Sequence, residues 1–235
     1  MSVLIVTGTG TDVGKTVATA ALAACARGRV AVVKPAQTGV ADGAPGDLAE
    51  ITRLAGVRDT YEFARYPDPL SPHHAALMSN RPALAFAETA QRIDDLDTEY
   101  DLVLVEGAGG LLVPFDSDDG WTLIDLAHHL NAQLVVVTQP GLGTLNYTAL
   151  TMNRLHDESL DVAGVVIGSW PAQPDLAMEL NVYDLRRMAQ SGELGGVLPV
   201  GMSAMRDFRK QARAALAPRF GGSFAWSVFR QTLHV

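Results

Sequence analysis

The stretch 8–16, GTGTDVGKT, closes on Gly14-Lys15-Thr16, residue types that together hold a phosphate. Backbone N–H groups at a glycine-rich turn that opens a helix point at an anion. A lysine neutralises phosphate charge, and a Ser/Thr hydroxyl binds the accompanying Mg2+. The spacing is unusual, because four residues ordinarily separate the first glycine from Gly-Lys-Ser/Thr. Here five stand between Gly8 and Gly14, and three between Gly10 and Gly14. A loop longer by one residue can turn further N–H groups, or the hydroxyls of Thr9 and Thr11, towards a second ligand. Asp12 beside phosphates is unfavourable unless it faces solvent or meets a cation. The competing reading is a tight strand-to-helix turn that needs glycine for steric reasons alone.

Two further charged positions follow apolar runs. In VAVVKPAQTG (30–39), Lys34 stands at the end of a buried strand, and Thr38 adds a hydroxyl. If this strand adjoins the first one, the ammonium emerges near the phosphate loop. The alternative is a lysine that snorkels to the surface. The chain has only three lysines (Lys15, Lys34 and Lys210) against fifteen arginines. Two of the three therefore sit where a compact ammonium suits the site and a planar fork does not. In YDLVLVEGAGG (100–110), Glu106 ends another apolar run, where a carboxylate can hold Mg2+. The glycines after it allow close backbone approach, although a solvated Glu beside a flexible turn fits the same letters. Asp47, in GDLAE, reads from local sequence as a helix cap.

These groups need a frame. Apolar runs at 3–7, 30–34, 102–105, 134–138, 162–167 and 197–200 predict strands. Helical patterns fall at 14–26, 47–55, 84–96, 122–130, 144–157, 175–190 and 204–217. Buried strands alternating with helices predict an α/β fold: three layers, a mostly parallel central sheet and helices on both faces. Ligands of such sheets bind at the carboxyl ends of the strands. One domain over 1–235 is expected.

A net charge of −8 argues against a general nucleic-acid surface. The single cysteine, Cys25, forms no internal disulfide and reads as a small buried hydrophobe. No run reaches the length of a membrane helix, so a soluble cytoplasmic protein with no nucleic-acid or membrane partner is expected. His73 and His74, in SPHHAA, read as a solvated helix start, with substrate entry as the alternative.

Together, TGTGTDVGKT (7–16), KPAQTG (34–39), GDLAE (46–50), VEGAGGLLVP (105–114) and LGTLNYT (142–148) resemble the dethiobiotin synthetase family. The five-residue spacing is itself typical of that family. The resemblance implies ATP- and Mg2+-dependent ring closure of 7,8-diaminopelargonate with CO2. One amine forms a carbamate, which attacks the γ-phosphate to give a carbamic-phosphoric anhydride. The second amine then closes the cyclic urea.

By the same resemblance, Lys15, Lys34, Thr11 and Thr38 serve the reaction. Nucleotide lies against Thr9, Gly10, Thr11, Asp12, Val13, Gly14, Lys15, Thr16 and Val17. Thr16, Asp47 and Glu106 hold Mg2+. The diamine meets Asp12, Lys34, Thr38 and Gly109. Its carboxylate tail meets Thr144, Leu145 and Asn146 from the partner of a homodimer. Ordinary N-capping is the alternative for that last segment.

Many family members place an adenine-reading Asn where this chain has Gly168. Base recognition then falls to the backbone around Ser169, Pro171, Leu198, Pro199 and Val200, which leaves other nucleoside triphosphates open beside ATP. On this reading, Gly168→Asn narrows nucleotide choice towards ATP, and Lys34→Ala spares the fold while abolishing most turnover. Asn181 aligns where some members use Tyr near the substrate carboxylate. Two other classes fit part of the pattern. One is a partitioning or metal-insertion type of nucleotide-switch ATPase, which often carries an additional lysine early in the loop. The other is a related synthetase of cofactor pathways.

Overall fold

The computed structural model describes residues 3–189 and 191–235. Among them, seven strands form one sheet: β1 (Val3–Gly8), β2 (Val30–Thr38), β3 (Thr60–Tyr66), β4 (Leu102–Gly110), β5 (Gln133–Thr138), β6 (Val162–Trp170) and β7 (Gly196–Pro199). Their order is β3-β2-β4-β1-β5-β6-β7, and every neighbouring pair runs parallel. The helices are α1 (Lys15–Cys25), α2 (Asp47–Ala55), α3 (Pro72–Met78), α4 (Phe86–Glu99), α5 (Leu123–Leu130), α6 (Thr144–Asp157), α7 (Leu176–Met188), α8 (Phe208–Ala215) and the short α9 (Trp226–Phe229). Gln190, the last residue of the expected helix 175–190, lies outside the described residues.

Strand periodicity of two divides the apolar residues between two cores. Val6, Val30, Val32, Leu104, Val135 and Val137 face α1, α2 and α8. Ile5, Ala31, Val33, Val103, Val105, Leu134 and Val136 face the layer that contains α4, α5, α6 and α7. This is the expected three-layer architecture. Cys25 is buried in the Ala-rich α1, and burial pushes its thiol pKa up.

Two expectations are corrected. β1 and β2 are not neighbours, because β4 lies between them. Lys34 and Glu106 also do not end their strands: β2 runs on to Thr38 and β4 to Gly110. By alternation both side chains project to the α1 face, two steps beyond Val32 and Leu104. The central position of β4 sets Glu106 between the strand that leads into the phosphate loop and the strand that carries Lys34.

The C-terminal segment is a strap of aromatic contacts. Phe229 meets Trp170 edge to face at 5.3 Å, and Trp226 meets Tyr183 at 5.2 Å. Nδ1 of His234 lies 2.7 Å from Oε1 of the buried Glu179 on α7.

Candidate functional site

The turn between β1 and α1 is shaped by close packing. Gly14 adopts a left-handed backbone, φ +96°, where a side chain is strained. A Cβ there would also lie 2.7 Å from the carbonyl oxygen of Gly168. Gly168 in turn abuts the Val13 backbone and the Val137 side chain, so the loop rests directly on β6. Val13 is buried, and Val17 packs against the α1-face core.

Lys15, the first residue of α1, folds its Nζ back onto the Gly10 carbonyl at 2.9 Å. Burial, and then the nearby Lys34 charge, push its pKa down to about 8. Thr16 donates to Oε1 of Glu106 at 3.0 Å.

Lys34 is buried and bridges two carboxylates. Its Nζ lies 2.6 Å from Oδ2 of Asp47 and 2.8 Å from Oε1 of Glu106, and it donates to the Gly107 carbonyl at 3.1 Å. Burial alone would lower its pKa, but the Glu106 and Asp47 charges raise it above the ordinary lysine value. Asp47 shows the mirror effect: burial opposes ionisation, yet the Lys34 charge holds its pKa below the usual range. Glu106 is fully buried, and its Oε2 has no hydrogen-bond partner among the described residues. A hydroxyl, two carboxylates and one unpartnered buried oxygen make the hard donor set that a small divalent cation takes.

Asp47 is not the cap of α2, contrary to its local reading. It is the first residue of the helix and follows Gly46. The cap comes from β2: Oε1 of the buried Gln37 accepts from the Asp47 N–H at 2.8 Å. Sequence reasoning gave Gln37 no role, although it stands inside KPAQTG; its fixed distance from Lys34 along the strand was the available signal.

The remaining predicted residues divide. Thr11 is exposed, and a Cβ on Gly109 would lie 3.9 Å from its hydroxyl, which brings the two together. Asp12 is exposed at φ +59° and only its carbonyl is engaged, by Gln139 Nε2 at 3.2 Å. Thr38 lies on the same strand face as Lys34. Thr9 has both of its donors engaged: its N–H donates to Val137 O at 2.9 Å and its hydroxyl to Thr138 at 3.2 Å.

Thr144 is buried, and its N–H is bonded to Gly141 O at 3.2 Å. Leu145 and Asn146 follow in the first turn of α6, where N–H groups lack intrahelical acceptors. Asn146 is exposed, and Leu145 packs against the core. The cap residue Gly143 supplies no side chain, so the side-chain capping alternative fails here. Asn181 serves structure: its Nδ2 donates to the Pro140 carbonyl at 2.9 Å and to that of Gly141 at 3.2 Å.

Near the ends of β6 and β7, Leu198 is buried, and the Val200 N–H donates to the Trp170 carbonyl at 2.8 Å, which occupies that N–H while the Val200 side chain stays exposed. Ser169, Pro171 and Pro199 are partly accessible. Gly168 is buried against Val13, so an Asn there cannot reach a base without moving the phosphate loop. His73 and His74 begin α3 with rings 3.9 Å apart; His74 is exposed, and His73 contacts the Pro114 carbonyl at 3.2 Å.

A family profile described as an AAA domain matches residues 2–202. An ATP-dependent dethiobiotin synthetase BioD of Saccharopolyspora erythraea is 54% identical over 228 residues, spanning 97% of this chain and 100% of the relative. A protein of the same name from Rhodococcus jostii is 56% identical over 204 residues, spanning 86% and 87% of the two chains. Among solved structures, one from the MinC:MinD cell division protein complex of Aquifex aeolicus aligns with a TM-score of 0.53 at 14% identity, covering 90% of this chain and 86% of that one. That likeness extends to the fold alone.

Proposed function

The chain belongs to the dethiobiotin synthetase family, and from that premise we propose that it closes the cyclic urea of dethiobiotin from 7,8-diaminopelargonate, ATP and CO2 or bicarbonate. The observation that carries the mechanism is Lys34, held within 2.8 Å of both Asp47 and Glu106 beside the phosphate loop.

The reaction brings a carbamate against a triphosphate, two anions that repel, so cations must hold them in line. Lys15 bears on the phosphates and Lys34 on the carbamate and the transferring phosphoryl group. Thr11, with Gly109 beside it, and Thr38 hydrogen-bond substrate oxygens, while the exposed Asp12 meets a diamine ammonium. Thr16, Asp47 and Glu106 would hold Mg2+, which neutralises charge developing on the phosphates. For that ion to sit among the carboxylates, the Lys34 ammonium must leave them, and the substrate anions are its next partner. The glycine-rich loop from Gly10 to Gly14 cradles the phosphates. Ser169, Pro171, Leu198 and Pro199 bound the base, with ATP preferred and other nucleotides open.

The diamine tail is assigned to the α6 start, Thr144 to Asn146, of the partner in a homodimer. Supporting this, α6 and α7 expose Tyr147, Leu150, Leu176 and Leu180, with Leu142 just ahead of α6, an unusual apolar display for a solvated surface. The same reading assigns the enzyme to the cytoplasm; among the described residues no helix is long and apolar enough to cross a membrane.

The test is phosphate release from ATP with Mg2+, bicarbonate and 7,8-diaminopelargonate. Release that depends on the diamine supports the reading. ATPase activity indifferent to diamine, but altered by a protein or DNA partner, supports a nucleotide switch instead.

A further inference from the structure

Four threonine hydroxyls meet where the phosphate loop, the end of β5 and the start of α6 converge. Oγ1 of Thr138 lies 3.2 Å from that of Thr9, 2.8 Å from that of Thr144 and 2.9 Å from that of Thr148. A hydroxyl has one proton to donate and two lone pairs. Three hydroxyl neighbours therefore use all of the capacity of Thr138, which is fully buried. In the phosphate-loop reaction proposed above, none of these contacts touches a reacting atom.

We infer that Thr138 is a positioning residue that transmits nucleotide binding at the phosphate loop to the first turn of α6. The connection is short and rigid. The Thr9 N–H is fixed to Val137 of β5, and its hydroxyl continues through Thr138 to Thr144 and Thr148 on α6. Thr144 also closes the turn at Gly141, and Asn181 holds the carbonyls of Pro140 and Gly141 from α7. A displacement of residues 9–14 on binding triphosphate thus reaches α6 through buried hydroxyls. A further side-chain tie between these segments, Gln139 to the Asp12 carbonyl, is exposed and competes with water. If α6 holds the diamine tail bound by the partner of the homodimer, a clause that rests on the proposed function, the same contact lets nucleotide binding in one protomer prepare the substrate site of the other.

Thr138→Val keeps the shape and removes the hydroxyl. Thr144 and Thr148 remain 3.5 Å apart and can still pair, so the cut falls between loop and helix. The experiment is amide hydrogen exchange of the intact protein with and without Mg2+-ADP. In the parent, nucleotide should slow exchange both at residues 8–16 and at 140–150. In Thr138→Val, protection at 8–16 should persist while that at 140–150 falls about tenfold, the weight of one buried hydrogen bond. Thr138→Ser should restore it. Equal protection at 140–150 in parent and Thr138→Val overturns the inference, as does a parent in which 140–150 does not respond. In turnover, Thr138→Val should raise the diamine KM about tenfold, with kcat and the ATP KM within about threefold. A changed exchange pattern with an unchanged diamine KM keeps the relay and overturns the placement of the diamine tail on α6.

Discussion

The Nζ of Lys34 lies 2.8 Å from Oε1 of Glu106, across the boundary between β2 and β4, and both side chains are buried. Strand pairing produces this contact. Val33 and Val105 are the last paired rung of the two strands, and Lys34 and Glu106 stand one residue further on. With Asp47 at 2.6 Å, one ammonium serves two carboxylates. Its raised pKa and the lowered pKa of Asp47 fix the working range. The contribution of Asp47 is lost only as pH falls through its depressed pKa, and that of Lys34 only as pH rises through its elevated one. Lys34 and Asp47 are therefore both charged throughout the neutral range.

Lys34→Ala should not spare the fold without Mg2+. It leaves two carboxylates facing each other, one fully buried, and should cost about 3–5 kcal/mol. Millimolar Mg2+ should recover much of that loss by taking the place of the ammonium, so thermal denaturation with and without Mg2+ measures it. A variant whose Tm ignores Mg2+ would remove Asp47 and Glu106 from the metal site.

Lys15 should link nucleotide binding to proton uptake. Its pKa of about 8 means that the ligand-free protein loses this proton from pH 8 upwards, whereas the unfolded chain keeps it to about 10.5. Folding stability attributable to Lys15 therefore rises over that interval, by about 3 kcal/mol in all. A triphosphate draws the proton back. ATP affinity should thus weaken as pH rises above 8, and calorimetry in two buffers at pH 9 should show uptake close to one proton. Absence of uptake contradicts the assignment of Lys15 to the phosphates.

Gly168→Ala, and equally Gly168→Asn, should displace the phosphate loop. The added Cβ meets the Val13 backbone and lies 2.9 Å from Cγ1 of Val137. Affinity for ATP, CTP and GTP should fall together by about tenfold or more, since overpacking costs about 1–3 kcal/mol. Selective loss of one base would show that the position reads the base after all.

Gln37→Leu should weaken Mg2+ binding about 10–100-fold, the usual effect of losing a group that orients a metal ligand. The Gln37–Asp47 bond starts α2 and sets the direction of Asp47. Unchanged Mg2+ affinity, measured by the concentration dependence of ATP turnover, would make Gln37 a helix cap and nothing more.

The layers, the phosphate loop and most helices were legible because long apolar runs and 3.6-residue periodicity are strong local signals. β3 was not. Its sequence, TYEFARY, is half-solvated along nearly its whole length and carries the Glu62–Arg65 pair, so it offers no buried run. The extensions of β2 and β4 past their apolar parts were hidden too, since a charged residue ordinarily ends a buried strand and here two opposite charges neutralise each other. Lys34, Glu106 and Thr16 were legible as chemistry from local sequence, whereas Asp47 read as a cap and joined them only through the family resemblance; the Lys34–Glu106 contact itself was hidden, because the strand order that inserts β4 between β1 and β2 is a tertiary fact. The Thr9–Thr138–Thr144–Thr148 junction and the C-terminal aromatic strap depend on contacts between distant segments, for which a single sequence has no periodic signature.

The most direct test of the central claim is a crystal structure with Mg2+, a non-hydrolysable ATP analogue and 7,8-diaminopelargonate. The account predicts the metal on Thr16, Asp47 and Glu106, with the Lys34 ammonium turned from the carboxylates to an oxygen of the γ-phosphate or carbamate. Lys34 still bridging Asp47 and Glu106, with the metal and triphosphate bound away from it, would contradict the account.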